Sequence, residues 1–349
     1  MSLKHGVLLV SLLGLAFVTV ACPMAIDEEE LAQTPVASPS PGAAIVTPSP
    51  IAPVETASPV AEATEDCGGV NPEDRIPTPP AVDPPEAFAP IPFVADIELE
   101  ALLREILGQD IDSYSVVVKN LADGSGVMIN ADQEYYAASL FKVAVMYEAF
   151  HERSLGLLSF DEELMVAPYY ATFDLGTHVF PTCSTATVEQ LLAAMMSVSD
   201  NTSAVMLQDK VGSRHINEAM EALGLKTTRI LEDKLPATAA DMALLMEMIA
   251  MDEAVDPQAS QEMAGLLASE RVDNGLRAGV PQDTLVAHKT GNWVNATHDV
   301  GIVYSPAATY VVAVLSDKGF GDHADKVITQ LSRTVWEYYN GALGEGEGE

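Results

Sequence analysis

Ser139 stands three residues ahead of Lys142 in the run Ser139-Leu140-Phe141-Lys142. A serine hydroxyl needs a base to become a nucleophile. On a helix, residues i and i+3 share a face, so this spacing brings an amine within hydrogen-bond reach of the hydroxyl. The amine must be neutral to take the proton. Val143, Ala144, Val145 and Met146 follow directly, and burial among such residues lowers a lysine pKa. The start of a helix also favours negative charge, such as that developing on an attacked carbonyl oxygen. The chemistry on offer is acyl transfer to a serine. Taken alone the pattern is weak, because an S-x-x-K arises by chance about once in a chain of this length.

Two further triplets sharpen it. Ser199-Asp200-Asn201 falls between two helical runs, and Lys289-Thr290-Gly291 comes later, ahead of two strand-like stretches. All three in this order are expected by chance in about one chain in a thousand. The bland alternatives are a helix cap at Ser139, a turn at Ser199 to Asn201 and a solvated Lys289. The set S-x-x-K, S-D-N, K-T-G is that of class A β-lactamases and penicillin-binding proteins, and residues 95 to 340 resemble that family. The resemblance implies Ser139 as the acylated nucleophile and Lys142 as its base partner. Ser199 would relay a proton to the leaving nitrogen, held by the charge of Lys289. It further implies that Asn201 binds the substrate amide and Thr290 the substrate carboxylate. Gly291 would let substrate backbone lie close, and the backbone N–H groups of Ser139 and Asn292 would form an oxyanion hole.

The sequence departs from the family at two places. The class A enzymes carry E-x-x-L-N, whose Glu activates the water that frees the acyl-enzyme. Here the loop is shortened and reads Glu232-Asp233-Lys234-Leu235-Pro236, with Pro in place of Asn. Glu232 is either a deacylation base or a solvated loop acid, and in the second case release would be slow. A basic residue that helps hold the carboxylate is also expected on the strand after Gly301-Ile302-Val303, and Tyr310 stands near that place. The seven histidines are scattered without H-E-x-x-H, so no metal and no cofactor are expected. His288 should point to the face of its strand opposite Lys289, a structural position.

These residues need elements to hold them. Ile97 to Leu107 has helical spacing, with Leu99, Leu102, Leu103, Ile106 and Leu107 on one side. SYSVVVKN, the turn Ala122 to Gly126 and VMIN then read as a hairpin. A long helical run opens at Ser139, and a mostly helical middle follows: VEQLLAAMMS, NTSAVMLQDKV, INEAMEAL and AADMALLMEMIAM. DVGIVYS and TYVVAVLS read as strands, and ADKVITQLSRTVWEYY as a last helix. The expected fold class is α/β (α+β): an antiparallel sheet from both chain ends, packed with helices, plus an inserted all-helical lobe. This order is also what the β-lactamase-like resemblance implies. The methionines of the middle read as core filler.

The rest of the chain serves the domain. Residues 1–22 have an apolar run from Val7 to Val20, too short for a comfortable membrane span, followed by Ala21 and Cys22. Thr19-Val20-Ala21-Cys22 resembles a bacterial lipobox, with Thr where Leu is more usual. The resemblance implies a lipoprotein-type signal peptide, a lipidated Cys22 and an exported protein at the outer face of the cell membrane, or a secreted one. An uncleaved anchor helix is the alternative. Of the 22 prolines, 16 lie in 23–94, a Pro/Ala/Thr/Ser-rich stretch that reads as a spacer. Cys67 and Cys183 either pair or remain two thiols. The tail 341–349 is Gly/Glu-rich. Residues 95–340 carry 36 acids against 15 bases, which excludes a nucleic-acid binder. The partners expected are a β-lactam or cell-wall peptide as substrate and a membrane through Cys22, with the chain a monomer. The leading function is β-lactam hydrolysis through acyl-Ser139. The alternatives are a cell-wall D,D-peptidase or esterase, or a slow-turnover binding protein for wall fragments or β-lactams.

Overall fold

The computed structural model describes Cys67 and residues 73–77, 79–319 and 322–343. Cys22, the expected signal peptide, most of the expected spacer and the end of the tail lie outside the described residues. In chain order the elements are β1 (Val94–Ala95), α1 (Ile97–Leu107), β2 (Tyr114–Asn120), β3 (Ser125–Ile129), β4 (Tyr135–Tyr136) and α2 (Phe141–Ser154). Next come β5 (Glu163–Met165), α3 (Pro168–Ala171), β6 (Thr185–Thr187), α4 (Val188–Ser197), α5 (Asn201–Val211) and α6 (Ser213–Ala222). The chain continues with β7 (Pro236–Ala237), α7 (Ala239–Ala250), α8 (Pro257–Ala268), β8 (Leu285–Trp293), β9 (Ala296–Tyr304), β10 (Thr309–Ser316) and α9 (Asp322–Asn340).

The sheet runs β1-β3-β2-β10-β9-β8. It is antiparallel except where β1 joins β3 in parallel. The first hairpin thus sits beside the last, as a helical insertion between terminal strands requires. Both faces are covered, which explains why β2 and β10 read as unbroken apolar runs rather than alternating ones. Val116, Val118, Tyr310, Val312 and Val314 face a core with Leu99, Leu103 and Leu107 of α1 and Ile328, Leu331 and Val335 of α9. Val117, Val311, Ala313 and Leu315 face the other way, into a larger core shared with the middle helices. Met195, Met196, Met242, Met246 and Met248 are buried in that second core.

The helix boundaries follow from caps. Asp96 accepts from Leu99 N and starts α1. Thr187 and Gln190 form a reciprocal capping box on α4, Asp200 caps α5 and Thr238 caps α7.

The expected spacer over 23–94 needs amending at its C-terminal end. Ile76, Phe88 and Ile91 are partly buried against the larger core. Arg75 Nε donates to Asp209 at 2.8 Å, and Ile76 N donates to the Tyr170 hydroxyl at 2.7 Å. Ile91 N donates to Glu247 at 2.7 Å, and the buried Lys119 ammonium bonds both Glu247 oxygens at 2.6 and 2.8 Å. Gly124 has φ +74°, and a Cβ there would meet the Pro92 carbonyl oxygen at 2.0 Å, so the incoming chain and the hairpin turn fit only without a side chain. Prolines alone suggested an extended tether, but the apolar residues among them give this last stretch something to bury. Cys67 and Cys183 form a disulfide that ties its start to the domain.

Candidate active site

Ser139 lies in a 3₁₀ turn, Ala138–Leu140, that leads straight into α2. Ala138 has φ +47°, a left-handed conformation that turns the chain sharply before the helix. Lys142 is in the first turn of α2 and is fully buried. Its Nζ donates to the Ser199 carbonyl oxygen at 2.6 Å, to Ser199 Oγ at 3.0 Å and to Asn201 Oδ1 at 2.7 Å. The first two motifs therefore meet at one ammonium. The hydrogen bonds of Lys142 run to Ser199 and Asn201, while Ser139, one turn before it, is the direct partner expected from the sequence.

The middle residue of the second motif explains how the outer two are held. Asp200 caps α5, accepting from Ser203 N at 2.7 Å and Ser203 Oγ at 2.5 Å, and its other oxygen takes the Thr177 hydroxyl. Ser199, with φ +58°, and Asn201 flank this fixed point.

The third motif lies on β8, the edge strand of the sheet. Lys289 is fully buried and forms an ion pair with Glu270, while Thr290 Oγ1 donates to Glu270 Oε1 at 3.3 Å. Glu270 carried no sequence signal: it follows α8, 19 residues before Lys289, in no recognisable pattern. Burial lowers the Lys142 pKa to about 7, the charge of Lys289 adds to this, and Asp200 and Glu270 oppose it. The environment thus supplies an amine that can give up its proton near neutral pH.

Gly291 has a packing role on this strand. A Cβ there would meet Ala137 O at 3.0 Å, Leu140 Cγ at 3.1 Å and His298 Cδ2 at 3.3 Å. The missing side chain therefore lets β8 pack against the turn that carries Ser139. His298, opposite Gly291 on β9, lies 2.8 Å through Nε2 from the Tyr136 carbonyl, and its Nδ1 accepts from Ser316 N at 3.1 Å. The imidazole is thus neutral with its proton on Nε2, and burial lowers its pKa to about 4. Asn292 Oδ1 is buried with no hydrogen-bond partner among the described residues.

Tyr310 corrects an expectation. It is wholly buried on the far face of the sheet, its ring centroid 5.0 Å from that of Tyr339, because its position on β10 alternates away from the site. Val300 is the β9 partner of Lys289. His288 points to the face away from Lys289 and meets Asp299 at 2.8 Å, while Asp299 also takes Leu276 N at 2.8 Å. Glu232 is exposed on a turn in which Leu231 N donates to Lys234 O at 3.0 Å. The chain after it returns to the nucleophile's segment through Ala137 N to Leu235 O at 2.7 Å and the β4–β7 pairing.

The model of the β-lactamase enzyme family matches residues 98–339. The chain belongs to that family. It is thus a serine hydrolase of the β-lactamase type, and its fold is the class A one. Beta-lactamase VEB-1 of Pseudomonas aeruginosa is 24% identical over 252 residues, 64% of this chain and 84% of that protein. Beta-lactamase AST-1 of Nocardia asteroides is 28% identical over 228 residues, 59% of this chain and 72% of that protein. Among solved structures, PBP-A superimposes with a TM-score of 0.68 at 23% identity, covering 72% of this chain and all of that one. A variant of PBP-A solved as an acyl-enzyme complex with penicillin G has a TM-score of 0.67 at 23% identity, covering 73% of this chain and all of that one.

Proposed function

We propose that this member of the family opens β-lactam amides through an acyl-Ser139 intermediate. The observation that carries the reading is the buried Lys142 nitrogen, shared between Ser199 and Asn201. When that nitrogen is neutral it has two N–H bonds and one lone pair. The Ser199 carbonyl and Asn201 Oδ1 only accept, so they take the two N–H bonds and leave the lone pair for a hydroxyl proton.

Lys142 accepts the Ser139 proton as Oγ bonds to the lactam carbonyl carbon. The oxyanion is met by the backbone N–H groups of Ser139 and Asn292. As the C–N bond breaks, Ser199 gives its proton to the departing nitrogen and is reprotonated by Lys142, 3.0 Å away. Asn201, its oxygen held by Lys142, turns its amide N–H toward the substrate amide. Lys289 and Thr290 hold the substrate carboxylate beside the edge of β8, with the Lys289 charge balanced by Glu270. Water then cleaves the Ser139 ester. PBP-A, similar in fold, forms an acyl-enzyme with penicillin G as a variant, which supports β-lactams as the substrate class.

A second reading concerns release. Glu232 is exposed, and Pro236 stands where the hydrolysing enzymes have Asn. Both features support slow deacylation, as in a D,D-peptidase or a protein that holds its acyl group. Intact-mass analysis over time after adding benzylpenicillin separates the readings. The wild type should gain one penicillin per chain and Ser139→Ala none. The adduct should persist for minutes, with the same lifetime in Glu232→Gln. A tenfold longer lifetime in that variant would return Glu232 to the mechanism, and no adduct and no turnover in the wild type would end the β-lactam reading.

Export of the chain with a lipidated Cys22 is part of this proposal. The Cys67–Cys183 disulfide supports an oxidising compartment. No helix among the described residues is long and apolar enough to cross a membrane.

A further inference from the structure

Away from Ser139, helices α2 and α6 close over a group of titratable side chains that the acyl-transfer chemistry does not use. Glu148, His151 and Glu152 come from α2 and His215 from α6, and all four are buried, with Glu148 at 0% and His215 at 1% exposure. One ligand atom from each of Glu148, Glu152 and His215 lies within 4.8 Å of the others. Glu152 Oε1 is 3.0 Å from His215 Nδ1, and Glu148 Oε1 is 3.3 Å from His151 Nδ1.

Two observations point beyond a set of ion pairs. First, Glu148 Oε2 is buried with no hydrogen-bond partner among the described residues. An ionised carboxylate oxygen without a donor is costly in such a place. Second, the donor atoms of two buried carboxylates and an imidazole converge within 4.8 Å of one another, and negative charge gathered so closely attracts a cation. A cation answers both demands.

We propose that Glu148, Glu152 and His215 form a structural binding site for a first-row divalent cation, with His151 hydrogen-bonding the Glu148 carboxylate from outside. Oxygen and imidazole donors at bond lengths of about 2.0–2.2 Å suit Zn²⁺. Donor atoms of a tetrahedral centre with such bonds lie about 3.3 Å apart. The Glu152–His215 pair is already inside that spacing, and the remaining separations close by side-chain rotation. Glu148-x-x-His151 is the i, i+3 spacing with which helical bundles present metal donors and their partners.

The site fastens α6 to the helix that starts at the nucleophile's turn, so its effect is on the stability of the helical lobe. Binding has a proton cost. His215 must offer Nδ1, so the proton now shared with Glu152 leaves or moves to Nε2. Arg214 Nη2, 3.0 Å from Nε2, must then turn away. Its side chain is half exposed and has Glu218 at 3.5 Å as another partner.

The test uses the full chain, stripped with chelator and desalted, with Zn²⁺ alone as the probe. At pH 7.5 one Zn²⁺ per chain should survive desalting, measured by elemental mass spectrometry. The thermal midpoint should rise with Zn²⁺ concentration. Glu152→Gln and His215→Gln, near-isosteric changes, should weaken retention at least tenfold. Arg214→Ala is a surface change that leaves the three ligands in place, and it should tighten binding severalfold. Retention below a tenth of an ion per chain with no thermal shift would overturn the proposal. So would binding undiminished in folded His215→Gln. If the buried variants do not fold, the Arg214→Ala arm decides, and unchanged affinity there overturns the ligation of His215.

Discussion

At Lys142 the site sets a base and its own limit. The amine is brought to about pH 7 by burial, with Lys289 adding to the fall and Asp200 and Glu270 resisting it. Acylation by the free enzyme should therefore rise with pH, about tenfold per unit below 7, and level off above it, measured as the pseudo-first-order rate of adduct formation at subsaturating penicillin. A flat profile from pH 5 to 8 would remove Lys142 as the proton acceptor. Glu270→Gln tests the balance. It leaves the Lys289 repulsion without its counter-charge, so the limb should move below 7, and the stability lost should be about 3–5 kcal/mol because Lys289 stays buried and unpaired. The three motifs were legible because each is a compact run of polar residues with fixed chemistry. Glu270 was not, since an acid placed by tertiary packing looks in sequence like any of the other acids in the domain.

At the scale of elements, the nucleophile's turn is clamped between β8 on one side and the Leu235–Ala237 return on the other. Gly291→Ala should push the Ala137 carbonyl and Leu140 by a few tenths of an ångström. The expected result is a fall of about tenfold in acylation rate with a stability loss of only about 1–3 kcal/mol. An unchanged rate would show that β8 and the turn are not coupled. Sequence spacing foretold α1, α4, α5 and β10 to the residue, because each has a cap or an unbroken apolar run that ends at a turn. The pairings of β4 with β7 and of β5 with β6 were invisible. They are two or three residues long and arise from long-range docking rather than from any period. The packing role of Gly291 was hidden for the same reason: a glycine in a strand shows that something comes close, but not what.

For the molecule as a whole, two of the fastenings that hold the leading segment to the acid-rich domain stand out. One is the Lys119–Glu247 pair, which also takes both backbone groups of Ile91. The other is the Cys67–Cys183 bond, spanning 116 residues of sequence. In the chain-entropy account a loop of that length contributes at most about 5 kcal/mol. Reduction, or Cys67→Ser with Cys183→Ser, should lower the denaturation midpoint measurably, and equal midpoints for oxidised and reduced protein would show that the bond adds nothing. The prolines showed where the leading segment lies, but not where it is fastened. That bond also fixes how the molecule bears load. The covalent loop it closes contains Ser139 and Lys142, so a pull applied to the chain ahead of Cys67 passes through the disulfide into residue 183. The intervening segment cannot be drawn out at all. Stretched from its ends, this protein should extend as though that whole stretch were missing, and should recover its full contour only after reduction.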